Sequence, residues 1–143
     1  CPDPLWTLSL WADEEDPRYG QFWFVPYHTL FWLDLFLTAD YENFKPPAPF
    51  VRGKLPDHPY TQPDLLAYLK QSRQKAKASI AALTNERANQ ICSVPWMQPT
   101  YLELQLYCMR HIQEHASHLH LVLGQNGSKD SVWIPKAEDE LGL

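Results

Sequence analysis

FWFVPYHTLFWLDLFLT, residues 22–38, is the stretch that decides the fold, because it is almost wholly apolar. Pro26 fits the first turn of a helix, where its missing N–H costs little. Asp34 is the only charged residue in the stretch, and we expect it at the helix surface or in a salt bridge. The run is too short and too aromatic to span a membrane. It therefore predicts a helix that is buried on most of its sides.

A second helix is predicted over residues 63–83. Thr61 or Gln62 would cap it, and Pro63 would take the first helical position. Lysines and an arginine occupy much of the remaining surface. The apolar residues at helical spacing are Leu65, Leu66, Leu69, Ala76, Ile80 and Leu83.

The third and longest helix is predicted over residues 101–123. Gly124 is placed to end it. The residues expected to enter the core from this helix are Leu102, Leu104, Leu106 and Met109. Residues 1–20 allow a short helix at most.

The connections between these helices are irregular. Residues 39–62 contain five prolines, which exclude regular structure there. A connection of this length can run along a whole bundle, unlike the short loops of an up-down bundle. Residues 84–99 are expected to be irregular as well, since Pro95 and Pro99 interrupt them. Neither strand alternation nor an internal repeat occurs, so the fold class is all-α.

Composition limits the function. The 143 residues fit one domain, residues 1–143, and carry a net charge of −5. Nucleic acid and anionic membranes are disfavoured as partners, because both need a basic surface. Three cysteines without CxxC spacing fit free thiols in a reducing cytoplasm better than disulfides.

Four of the six histidines lie in RHIQEHASHLH, residues 110–120. His111 and His115 are four residues apart, so a helix places them one turn apart on a single face. Two imidazoles in that arrangement can bind one metal ion. His118 lies on the same face, one turn beyond His115. Tyr107 lies on that face one turn before His111. His120 points to roughly the opposite side.

His28 is the best third donor. It lies in the apolar helix, and Phe24, Phe31 and Trp32 share its face of that helix. A buried imidazole in such surroundings needs a polar partner. A catalytic zinc-type site uses three protein ligands and an open position, which His28, His111 and His115 would supply. The alternatives are a hydrogen-bonded core histidine at position 28 and a surface pair on the long helix.

Other polar residues give weaker signals. Glu103 and Glu114 would orient a ligand histidine from outside the metal shell, or they are solvated helix charges. Cys108 is expected to be a core thiol rather than a nucleophile. His58, in the proline-rich segment, is expected to be solvated. HExxH is absent, because Glu114 directly precedes the second histidine.

Two segments resemble the DinB-like (DinB/YfiT) metalloenzyme superfamily. FVPYHTLFWLDLFL is similar to the family's second helix, which carries the first ligand histidine. LQLYCMRHIQEHASHLHLVLGQ is similar to its last core helix, which carries two ligand histidines four residues apart. LLAYLKQSRQKAKASIAAL matches the helix between them. The resemblance assigns the three ligand positions to His28, His111 and His115.

The resemblance implies a four-helix bundle with a long crossover between its second and third helices. The family's first helix has no counterpart here and should end about where this chain begins. His118 stands where many relatives carry glutamine, and it would be a fourth ligand, a proton shuttle or a donor to bound water.

For function, the resemblance implies a metal-dependent transferase or hydrolase that uses a low-molecular-weight thiol. Zn or Ni is the expected divalent metal, with Fe or Mn as alternatives. Tyr107 and His118 are candidate catalytic residues near the open position. The rival hypotheses are a non-catalytic metal-binding or structural bundle that acts as a homodimer, and a metal-free carrier of a small molecule.

Overall fold

The computed structural model of the chain describes residues 1–128, and over this range the fold is all-α, as predicted. No strand forms in these residues; three isolated β-bridges occur instead. None of the helices in this range is long and apolar enough to cross a bilayer. The elements are α1 (Asp3–Trp6), a 3-10 turn (Pro17–Gly20), α2 (Phe24–Thr38), α3 (Gln62–Ala81), α4 (Asn85–Asn89) and α5 (Tyr101–Gln125).

Helix α2 is the centre of the fold. Trp23 takes the position before its first turn, and Ala39 ends it in the left-handed region at φ 55°. More than half of its residues are buried. It packs against α3 on one side and α5 on the other. The apolar stretch therefore forms the predicted helix, two residues shorter at its start.

Both long outer helices begin with a capping box, in which a threonine and an acidic residue satisfy each other's backbone N–H groups. Thr61 pairs with Asp64 at the start of α3, and Thr100 pairs with Glu103 at the start of α5. The prediction that Gly124 ends α5 is wrong, because the helix continues to Gln125. Gly127, at φ 82°, takes the left-handed conformation instead.

The segment between α2 and α3 is irregular, as its prolines predict. The second connection differs from the prediction, because residues 85–89 form the short helix α4. Thr84 caps α4 by accepting a hydrogen bond from the Arg87 N–H. The prolines at positions 95 and 99 lie beyond α4, so they do not interrupt it.

Two clusters of side chains make the core, and α2 contributes to both. One surrounds Trp23, and the other surrounds Leu104; both residues have no exposed surface. The members of the first are Trp23, Tyr27, Leu30, Phe50, Tyr60, Leu65 and Tyr68. Those of the second are Leu35, Phe36, Phe44, Cys92, Tyr101, Leu104 and Cys108.

Several apolar residues predicted to enter the core are exposed. On α5, Leu104 is buried, but Leu102, Leu106 and Met109 are about half exposed. Among the apolar residues at helical spacing in the predicted second helix, Leu65 is buried, and the exposed ones are Leu66, Leu69, Ile80 and, just beyond the end of α3, Leu83. The expectation of core positions on α5 was therefore wrong for three of its four residues.

The reason is an apolar groove between α3 and α5. Both helices pack on α2, but within residues 1–128 they do not pack on each other. Cavities of about 570 and 460 Å³ lie along the groove, with α2 contributing to their lining. The apolar faces of α3 and α5 line this groove instead of meeting across a closed core.

Asp34 forms the salt bridge that was one of its two predicted roles. Its side chain is 11% exposed, and its Oδ1 lies 2.5 Å from the Lys75 Nζ. The Tyr68 hydroxyl donates to its Oδ2 at 3.0 Å. Lys75 also donates to the Thr38 hydroxyl and to the Asp34 carbonyl oxygen. This network joins α2 to α3.

We expect Lys75→Met to lower the free energy of unfolding more than Asp34→Asn does. Losing Lys75 leaves a buried carboxylate with one donor, which costs about 1–3 kcal/mol or more for a charged group. Losing the Asp34 charge costs less, because the Lys75 side chain is 35% exposed and can be hydrated. Urea denaturation measures the free energy of unfolding of both variants, and Lys70→Met, on the exposed face of α3, is the control. Equal losses, or the reverse order, would contradict this.

Candidate metal centre

The three histidines predicted as ligands meet between α2 and α5. His28 lies in the first half of α2, and His111 and His115 lie on consecutive turns of α5. The Nε2 atom of His111 is 3.2 Å from that of His28 and 3.0 Å from that of His115. One nitrogen from each of the three rings lies within 4.8 Å of the other two. The group could hold a metal ion.

The spacing of these nitrogens suits a first-row metal. Tetrahedral zinc with Zn–N bonds of about 2.0–2.1 Å needs ligand nitrogens about 3.3–3.4 Å apart. The two measured separations, 3.2 and 3.0 Å, reach this range after shifts of a few tenths of an ångström. The side chains of Phe24 and Trp32, one turn away on each side of His28, contact its ring and fix its orientation.

Burial keeps the three imidazoles neutral, which is the form that binds metal. It lowers the pKa of His28 to about 3, with the neighbouring imidazoles His111 and His115 adding to the effect. Burial also lowers the pKa of His111 to about 4, helped by His115 and opposed by Glu114. The pKa of His115 is lowered by burial and by His118.

The outer hydrogen bonds expected of a metal centre are missing on α5. The Nδ1 atoms of His111 and His115 are buried and have no hydrogen-bond partner in residues 1–128. Glu103 and Glu114 therefore do not orient these rings. Glu103 instead completes the capping box of α5, and the side chain of Glu114 is exposed. The suggestion that either glutamate supports a ligand histidine is wrong for this arrangement.

Tyr107 and His118, the two candidate catalytic residues, lie outside the three-histidine group. The ring of Tyr107 packs edge-on against Phe36 at 5.6 Å, one turn before His111. His118 is exposed, and its ring centroid is 5.9 Å from that of His115. Their catalytic roles stay predictions.

The remaining sequence predictions near the centre concern a thiol and a loop histidine. Cys108 is buried, and burial raises its pKa to about 12, so it is a core thiol as predicted. His58 is exposed in its loop, also as predicted. Cys1, Cys92 and Cys108 are all free thiols.

A cavity beside His28 brings in residues that the sequence did not single out. It measures about 180 Å³, and Tyr19, Lys54 and Leu55 are among its lining residues. Tyr19 belongs to the 3-10 turn, and the other two belong to the proline-rich connection. No periodic pattern marks these positions, so only the folded chain reveals them.

We expect the metal-free protein to lose stability as the pH falls from about 6.5 to about 4. The folded pKa values of His28 and His111 lie below the unfolded value of 6.5. In this window the unfolded chain binds more protons, so stability is present above pH 6.5 and is lost on acidification. Each histidine contributes a slope of at most about 1.4 kcal/mol per pH unit.

Urea denaturation between pH 7.5 and pH 4.5 measures this slope. His28→Gln removes one titrating imidazole while keeping a polar side chain, so its slope should be shallower than that of the wild type. The same slope in both proteins would show that His28 does not titrate in this way.

No protein-family model, curated protein or solved structure matches this chain. Its class is therefore defined by its own fold and site. It is an all-α protein in which two packed helices bring three neutral histidines together.

Proposed function

We propose that the chain is a metal-dependent enzyme of the DinB-like type, a thiol transferase or a hydrolase. His28, His111 and His115 would hold a divalent ion, with Zn or Ni preferred and Fe or Mn as alternatives. The observation that carries the proposal is the convergence of three Nε2 atoms from neutral imidazoles on two helices. Imidazole is a ligand that suits Zn, Ni and Fe.

Three protein ligands leave a coordination position open, as catalytic metal sites require. When bound, the ion would lower the pKa of a coordinated water or thiol and thereby provide a nucleophile at neutral pH. The protein's part is to keep the three partly buried imidazoles neutral. It also holds the His28 ring between Phe24 and Trp32, so that little reorganisation is needed when the metal binds.

We propose that the chain forms part of a DinB-like four-helix bundle. The groove between α3 and α5 supports it, because it lies where a fourth helix would sit in such a bundle. The irregular segment between α2 and α3 supports it too, since the family has a long crossover there. The resemblance of the helices to that family remains the reason for naming this bundle.

A small molecule, and specifically a low-molecular-weight thiol, is the proposed substrate. A cytoplasmic location is part of the proposal, because the three cysteines are free thiols and reducing compartments keep them so. Nucleic acid is not proposed as a partner, since the chain carries a net charge of −5.

Elemental analysis of protein purified without added metal tests the proposal first. We expect close to one equivalent of Zn, Ni, Fe or Mn per chain, and removal by a chelator should lower the midpoint of thermal unfolding. The loaded protein should then accelerate displacement of chloride from an activated aryl chloride by the thiol of cysteine, or hydrolysis of an activated ester, whereas the metal-free protein should not. Absence of stoichiometric metal, together with no metal-induced thermal shift, would overturn the proposal.

The second candidate is a non-catalytic metal-binding or structural bundle that acts as a homodimer. The exposed apolar side chains along the groove favour it, because patches of that kind mark interaction surfaces. Sedimentation analysis with activity assays separates the two candidates. A dimer that binds metal but accelerates neither reaction would support this second function over the enzyme.

A further inference from the structure

The cavity beside the metal centre has defined walls. Helix α2 provides most of its lining, and the 3-10 turn and residues 53–55 complete it. His28 belongs both to this cavity and to the three-histidine group. A molecule in the cavity therefore contacts a proposed ligand of the metal.

Aromatic rings form a continuous row along the cavity. The centroids of Tyr19 and Phe24 are 4.9 Å apart, and those of Phe24 and His28 are 5.8 Å apart. The row continues from His28 to Trp32 at 6.2 Å. The cavity is open to solvent on one side, and its volume of about 180 Å³ is similar to the roughly 150 Å³ that holds a benzene ring in a closed apolar cavity. One six-membered ring fits a space of this size.

Lys54 gives the cavity a single positive charge. No carboxylate is among the described residues that line it. Lys54 itself is exposed and has no ion-pair partner in residues 1–128. The nearby Arg18 differs, because its charge is neutralised by Asp16 at 2.6 Å. The ammonium group of Lys54 is thus available to an anionic group at the rim.

The loop that carries Lys54 is fastened to the 3-10 turn. The Arg18 guanidinium donates to the Pro56 carbonyl oxygen at 2.7 Å, and its bond to Asp16 holds it in place. This contact positions Lys54 and Leu55 opposite Tyr19. The cavity is therefore formed by α2, the 3-10 turn and residues 53–55, and a hydrogen bond joins the last two segments.

We propose that this cavity selects the substrate, and that the substrate carries one aromatic ring and an anionic group such as a carboxylate. The ring lies among the aromatic side chains and the anion pairs with Lys54, while the reactive end reaches the metal past His28. This inference rests on the proposed metal-dependent function. It adds the chemical class of the molecule on which the enzyme acts.

Three hydroxamates test this with the Co(II)-loaded protein, since the hydroxamate chelates the metal and changes the visible spectrum of Co(II). Acetohydroxamate lacks the ring, benzohydroxamate has it, and 4-carboxybenzohydroxamate adds the carboxylate. We expect benzohydroxamate to bind at least about 10-fold tighter than acetohydroxamate, as burial of a ring implies. The carboxylate should add roughly 2- to 5-fold, the range of an exposed ion pair.

Two variants test whether these gains in hydroxamate affinity come from the cavity. Leu55→Trp fills it and should abolish the preference for the ring, at a position that is only partly buried against the core. Lys54→Met keeps the apolar stem and should abolish only the gain from the carboxylate. Lys45→Met is the matched control, because Lys45 is an exposed lysine of the same loop that lines a different cavity.

The outcomes separate this inference from the proposed function. If Co(II) binds at the three histidines but the ring gives no advantage, or if Leu55→Trp retains that advantage, the inference is overturned and the metal function stands. If Lys54→Met and Lys45→Met behave alike, the role of Lys54 is overturned. If Co(II) produces no visible spectrum with the protein, or if His111→Ala leaves that spectrum unchanged, the metal function fails and this inference fails with it.

Discussion

Replacing His111 with alanine should weaken divalent metal binding by more than about 100-fold, since loss of outer-shell partners alone costs 10- to 100-fold. His111 has the largest effect because its Nε2 atom is the near neighbour of both other nitrogens, at 3.2 and 3.0 Å. Without it, His28 and His115 are left as two donors on different helices. Two donors hold an ion far less well than three.

The same substitution should remove the thermal stabilisation that metal gives. A ligand at 100 times its dissociation constant stabilises the folded state by about 2.7 kcal/mol. In the wild type this gain should appear as a higher midpoint of unfolding on addition of Zn or Ni. In His111→Ala the midpoint should hardly change at the same metal concentration.

Calorimetric titration, with competition from a chromophoric chelator, measures the affinity. His58→Ala is the control, because His58 is exposed in the proline-rich loop and lies outside the three-histidine group. Metal binding that survives His111→Ala, or that falls equally in His58→Ala, would place the ion elsewhere. His118→Ala included in the same series determines whether the fourth histidine is a ligand, since a ligand would lose affinity as His111 does.

The convergence of the three histidines could be predicted from sequence because it depends on local spacing. His111 and His115 are four residues apart on a long helix, and helical geometry alone places them on one face. His28 could be chosen because it was the imidazole in the most apolar helix. Both inferences also required that α2 and α5 pack together, as they do in the structure.

The burial of individual apolar residues could not be predicted in the same way. Helical periodicity identifies an apolar face, but it does not identify what that face meets. Leu102 and Leu106 follow the spacing of a core helix, yet they line an open groove. Leu104, two residues from each of them and so on a different face of α5, is fully buried with Leu35 and Phe36 of α2. The difference depends on which neighbouring helix is present, which is a property of the whole fold.

Hydrogen bonding around the centre also lay beyond the sequence. Glu103 lies two turns before His111 on the same helix, but its carboxylate accepts hydrogen bonds from the backbone N–H and the hydroxyl of Thr100 instead. Its pKa is lowered by these same hydrogen bonds. Lys54 shows the opposite case, in which a loop residue without any sequence signal lines the cavity beside His28, in a loop that Arg18 ties to the 3-10 turn.

Replacing Trp23 with alanine should destabilise the fold by about 3–5 kcal/mol, the usual cost of removing a buried aromatic side chain. Trp23 is 0% exposed and lies immediately before α2. Its ring contacts those of Phe24, Tyr27 and Tyr60, so the cavity left behind would open the core cluster between α2 and the proline-rich segment. Much of the stability of a typical domain, about 5–15 kcal/mol in total, would be lost.

Metal binding should weaken in Trp23→Ala for a different reason than in His111→Ala. His28 lies on the turn of α2 that follows Trp23, so fraying of this end displaces one ligand while His111 and His115 stay in place. Circular dichroism during urea denaturation measures the loss of stability, and Trp11→Ala, at a tryptophan that is 43% exposed, is the matched control. Excess metal should partly restore the folded state of Trp23→Ala, because the three ligands remain in the chain. If Trp11→Ala costs as much as Trp23→Ala, the core does not centre on Trp23, and the N-terminal end of α2 is held by other contacts.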